Sequence, residues 1–96
     1  MKEEYYIVAF DIVDKTFGIQ KMKGWFTHWE DKDKHCFVTD WDEALKFTTI
    51  DLAIQQFNLY RKKIDNYLEN NNLIIKNIKI LSVIDKPIFK EVYALD

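Results

Sequence analysis

Residues 47–72 read FTTIDLAIQQFNLYRKKIDNYLENNN, and their apolar spacing sets the architecture. Ile50, Ala53, Phe57, Tyr60, Ile64 and Tyr67 recur at steps of three and four, which puts them on one face of a helix. Ile54 and Leu68 widen that face, while Asp51, Gln55, Asn58, Lys62, Asp65 and Glu69 hold the opposite one. The spacing predicts a helix over about 49–69. Its start is written in side chains: Thr48 as N-cap, Asp51 at N3 as the acidic arm of a capping box, and Phe47 with Leu52 as a hydrophobic staple. Asp51 also suits the positive end of the helix dipole. Asn70, Asn71 and Asn72 stop it, because asparagine tolerates the left-handed backbone common just past a helix end.

Outward from the helix the apolar period changes to two. Residues 4–13, EYYIVAFDIV, read as a strand with Tyr6, Val8, Phe10 and Ile12 on one face and Tyr5, Ile7, Ala9 and Asp11 on the other. The turn DKTFG follows. Residues 19–30 continue as an extended segment broken near Gly24, 35–39 return as a strand after the loop DKDK, and 44–47 form a short extended piece. Beyond the helix, 73–84 (LIIKNIKILSVI) and 88–95 (IFKEVYAL) make a hairpin around Asp85, Lys86 and Pro87. The predicted class is α+β: an antiparallel sheet in the order β-β-β-α-β-β, with one helix on one face. Ninety-six residues with two glycines, one proline and no low-complexity linker describe a single domain, 1–96.

The apolar fraction of 48% and charged fraction of 31% are those of a folded chain. A single cysteine excludes an internal disulfide. MKEEYYIVAFDIVD does not read as a secretory signal, and no segment reaches the roughly 20 apolar residues of a membrane span, so a cytoplasmic protein without membrane attachment is expected. The net charge of −2 and the lone arginine, Arg61, argue against sequence-specific DNA binding. Charge is nevertheless uneven. Residues 15–23 carry Lys15, Lys21 and Lys23 and no acid, whereas 30–43 carry six acids against two lysines. Both read first as solvated turns, and the second also as an acidic lip for a basic partner surface.

Residues 24–41, GWFTHWEDKDKHCFVTDW, hold every tryptophan and histidine and the cysteine. A zinc site would need His28, His35, Cys36 and a carboxylate to converge, but adjacent strand residues point to opposite faces. A register centred on Lys32–Asp33 sets Glu30 opposite His35 and Trp29 opposite Cys36, so the cysteine joins the tryptophans on a packed face. A cysteine so placed is a small core residue, not an activated thiol. The chain has no P-loop, GxGxxG, HExxH or CxxC. No cofactor, metal or catalytic activity is expected. The aromatics Tyr5, Trp25, Phe26 and Trp29 with 61-RKK-63 offer an alternative, a single-stranded nucleic-acid platform, against which the interleaved acids weigh.

The 73–84 strand looks apolar on both faces: Ile74, Ile78, Ile80 and Ile84 on one, Leu73, Ile75, Leu81 and Val83 on the other. One helix shelters one face. At roughly 1.5–3 kcal/mol per fully buried side chain, the remainder calls for a cover, which predicts a homodimer or a hetero-complex. Leu52 and Leu59 add a smaller ridge on the helix.

The run W41-DEALKF-TT-IDLAIQQF resembles short proteins of phages and prophages of AT-rich Gram-positive bacteria, in which a strand pair, a tryptophan, an Ala-x-x-Phe strand and a Thr/Ser cap lead into an amphipathic helix. YYIVAFD and GWF echo the pattern, and the lysine, isoleucine and asparagine content fits such a genome. The resemblance implies a stoichiometric binder of a host or defence protein, as anti-CRISPR proteins are. The expected contacts are Trp29, Asp40, Trp41 and Asp42, since aromatic anchors dominate interface energies and acids steer encounter.

Overall fold

The computed structural model describes residues 4–27, 36–85 and 88–95. Strands β1 (Tyr5–Asp14), β2 (Gln20–Phe26) and β3 (Phe37–Val38) precede a 3-10 turn, Trp41–Glu43. Helix α1 (Ile50–Asn70) and strands β4 (Leu73–Asp85) and β5 (Ile88–Ala94) follow. All neighbouring strands are antiparallel, in the order β3-β2-β1-β4-β5, and the helix packs on one face. This is the expected α+β class, with a 3-10 turn added before the helix.

The helix begins one residue later than expected. Thr49, in extended conformation, is the N-cap and its hydroxyl accepts from Leu52 N at 3.1 Å. Thr48 is not the cap and no Phe47–Leu52 staple forms, because Phe47 is held elsewhere. Its backbone bridges Tyr6 in both directions at 2.8 Å and its ring is buried against Phe26, while Leu52 is exposed. Ala53, Phe57, Ile64 and Leu68 form the buried stripe, so Leu68 lies at its centre and Tyr67 at its edge. The asparagine stop is as expected: Asn72 takes φ 59° and its N–H donates to Glu69 O.

Between helix and sheet, Val8, Phe10 and Ile12 of β1 meet Phe26, Phe37, Phe57 and Ile64. Phe10 is fully buried, with the rings of Phe37 and Phe57 each 5.9 Å away. Gly24 does not break β2. It pairs with Phe10, whose ring lies so close that a Cβ on Gly24 would sit 2.3 Å from it. Glycine is there to let the ring cross the strand.

Strand β4 departs from the expected alternation at Asn77, which has φ 54°. Between Ala9↔Lys79 and Asp11↔Lys76, β4 spends one residue more than β1, which is a bulge. The bulge moves Leu73 and Ile75 onto the helix side with Ile78 and Ile80. Leu81 and Val83 face the other way and are buried there with Ile7, Ala9, Trp25, Val38 and Ala44. Two strands separate β2 from β5, yet the rings of Trp25 and Phe89 are 5.7 Å apart and Trp41 lies 5.0 Å from Phe89. The sheet curls around this face, and three aromatic side chains serve as its second layer. The apolar surplus from which a homodimer or a hetero-complex was expected is therefore largely absorbed within one chain.

Candidate protein-binding surface

Of the expected contact residues, Asp40, Trp41 and Asp42 lie together on the turn after β3, and Trp29 lies outside the described residues, as do His28 and His35. The Asp40 carboxylate caps the turn by accepting from Asp42 N at 3.1 Å, and Glu43 N and Ala44 N close it onto the carbonyls of Asp40 and Trp41, both at 3.1 Å. Trp41 is half-buried against Phe89 and Ala44 is buried beneath it. Trp41 is thus a brace, and what the turn offers a partner is the exposed carboxylates of Asp40, Asp42 and Glu43.

The hairpin register differs from the expected one by two residues. Trp25 pairs with Val38 and Phe26 with Phe37, and Thr27 N donates to Cys36 O at 3.1 Å, so Thr27 takes the place expected of Trp29. Cys36 has φ 68°, which breaks the alternation and turns it to the helix side. It joins the phenylalanines of the main core, not the tryptophans. Burial pushes its thiol above the ordinary value, and the Lys63 charge opposes this only in part. The thiol is held protonated, the opposite of what a nucleophile needs. Ser82 is likewise fully buried, its hydroxyl donating to Glu4. Phe26 is fully buried and Trp25 nearly so, which leaves neither ring a face on which a base could stack. Arg61 is paired with Asp65 at 3.4 Å.

A different surface stands out at the opposite end of β1. On the β1–β2 hairpin, Phe17 is 78% exposed, Ile19 59% and Met22 41%, and Lys15, Lys21 and Lys23 are exposed among them. These apolar side chains are presented by a fixed turn. The Asp14 carboxylate accepts from Thr16 N and Phe17 N at 2.9 and 2.8 Å, Gly18 at φ 72° donates to Asp14 O, and Asp14 N donates to Ile19 O. The turn is also tied to the end of α1: Lys15 N donates to Asn72 O at 2.9 Å and Asn72 Nδ2 to Thr16 Oγ1 at 2.8 Å. The acid-free charge of 15-KTFGIQKMK-23 is legible in the sequence, whereas the exposure of the apolar residues between its lysines is set by the fold.

Beside the hairpin, between α1 and the start of β4, lies an open groove of about 270 Å³ floored by Leu73, Ile74 and Ile75. Its two cations each face a carboxylate, Arg61 with Asp65 at 3.4 Å and Lys15 with Glu69 at 3.9 Å, so it has no net charge with which to select a ligand. Among the described residues, no helix is long and apolar enough to cross a membrane. No family model, no curated protein and no solved structure matches the chain.

Proposed function

We propose that this chain is a non-enzymatic interaction module that binds a partner protein and blocks or regulates it by covering its surface. One observation carries the reading. The β1–β2 hairpin holds Phe17, Ile19 and Met22 in water among three lysines, on a turn whose backbone is already fixed by hydrogen bonds. Large apolar side chains kept exposed on an ordered surface gain free energy when a partner buries them, and the fixed turn lowers the entropy cost of doing so. The exposed acids Asp40 and Asp42 form a second surface of opposite sign, which steers encounter more than it holds the complex. The likeness to phage and prophage proteins makes a host or defence protein in the cytoplasm the partner of this reading. A hetero-complex is favoured over a homodimer, since the sheet's second face is closed by Trp25, Trp41 and Phe89.

The test is capture from host lysate, with and without nuclease, by the wild type, by F17S/I19S and by D40N/D42N. A nuclease-resistant protein band is expected. It should vanish with F17S/I19S and persist, with slower association, for D40N/D42N. A nuclease-sensitive catch, or a band indifferent to F17S/I19S, would refute the reading.

A further inference from the structure

We propose that the outer edge of β2, Gln20–Lys23, receives an acidic extended segment of the partner as an added strand. This rests on the interaction reading above and names the chemistry of the partner. Strand β3 pairs only with Trp25 and Phe26, so among the described residues no strand lies along the outer side of Gln20–Lys23. The edge is already extended, because β1 holds it from within through Asp11↔Lys23, Ile12↔Met22 and Val13↔Gln20. An incoming strand therefore meets backbone donors and acceptors in place, which is the physical basis of recognition by strand addition.

Charge selects the occupant. Lys21 and Lys23 stand exposed on the edge strand itself, while Lys15 beside them is shared with Glu69 at 3.9 Å, and the carboxylates of Asp14 and Asp11 sit one strand further in on β1, hydrogen-bonded to turn amides and to Asn77 Nδ2 at 2.8 Å. Lys23 also lies 5.4 Å over the Trp25 ring, within reach of the edge. A second copy of the chain is the wrong occupant, since two β2 edges would set lysines against lysines. Edge lysines are a device by which sheets refuse their own kind, and the bulge at Lys21, where β2 spends two residues against one of β1, restricts any added strand to a short pairing. The same lysines favour a segment with acids at alternate positions, and Met22, Ile19 and Phe17 offer contacts for apolar side chains between those acids.

The test is selection of short random peptides displayed against the full-length protein, followed by amide hydrogen exchange of the complex with a selected peptide. Enriched sequences should alternate acidic with β-branched or aromatic residues, and the peptide should slow exchange within Gln20–Lys23. K21E/K23E should weaken it roughly tenfold or more, as two exposed ion pairs become repulsions. No enrichment, enrichment of acid-free sequences, protection confined to other elements, or affinity indifferent to K21E/K23E would overturn the proposal. So would binding of vesicles of phosphatidylcholine and phosphatidylserine in preference to any peptide. A lysate band lost with F17S/I19S but unchanged by K21E/K23E keeps the interaction reading and removes strand addition alone.

Discussion

Adding one methyl group at Gly24 tests the packing on which the helix-side core depends. In Gly24→Ala the new Cβ would lie 2.3 Å from Phe10 Cε2 and 3.0 Å from two further ring carbons. The ring has nowhere to go: Phe10 is fully buried, with Phe37 and Phe57 at 5.9 Å on either contact. Overpacking of this kind costs about 1–3 kcal/mol, and a contact more than an ångström too short belongs in the upper half of that range. Alanine returns about 0.4–1 kcal/mol by restricting the unfolded chain. The net expectation is a loss of about 1.5–2 kcal/mol, or about 8–12 °C in melting temperature for a domain of this size. Urea unfolding followed by tryptophan fluorescence measures it. The control is the same change in a Phe10→Leu background, where the ring is gone and the methyl has room, so G24A should there be neutral or mildly stabilising. A Gly24→Ala protein as stable as the wild type, or one equally damaged with and without the Phe10 ring, would show that the ring does not exclude a side chain at position 24.

Other outcomes follow from the same contacts. Thr49→Ala should cost on the order of 1 kcal/mol in urea unfolding, while Thr48→Ala should stay within about 0.5 kcal/mol, because only Thr49 caps the helix. Trp41→Ala should cost about 2 kcal/mol by uncovering Phe89 and its neighbours, whereas Phe17→Ser, at a site 78% exposed, should leave stability within about 0.5 kcal/mol. Cys36, whose folded thiol is raised by burial, should resist a thiol reagent at neutral pH until the chain unfolds. Its contribution to stability is fully present below the ordinary thiol value of ~8.5 and is lost as pH rises through the folded value, since the unfolded thiol ionises first. A Cys36→Ala protein should show a flatter fall of stability at alkaline pH.

What could be read from the residues was what local rules decide. The helix stripe, the asparagine stop and the two faces of β1 follow from periodicity and turn chemistry, and the structure has them. The cap slipped by one residue because Thr48 and Thr49 are equivalent by type, and the Tyr6–Phe47 bridge, a contact across the chain, chose between them. The bulge at Asn77 was legible in part: Lys76 and Lys79 stand three apart in a strand that should alternate by two, opposite Asp11 and Ala9 of the same β1 face. Missing it misassigned Leu73 and Ile75 and inflated the apolar surface thought to need a partner. Cys36 left its expected company for a similar reason, a positive φ that periodicity does not reveal. The binding surface was the hardest to see. Phe17 is the sort of residue that fills cores, and its exposure depends on no other described residue folding over the hairpin, which no local rule reports.

A chain that closes both of its sheet faces, with a lysine edge on β2 that rejects its own copy, stays single until it meets a different protein. The mass of the purified chain in solution at micromolar concentration, by light scattering, tests this most directly. The expected mass is that of one chain, 11.6 kDa. A mass near twice that value would contradict both the closure by Trp25, Trp41 and Phe89 and the argument from Lys21 and Lys23.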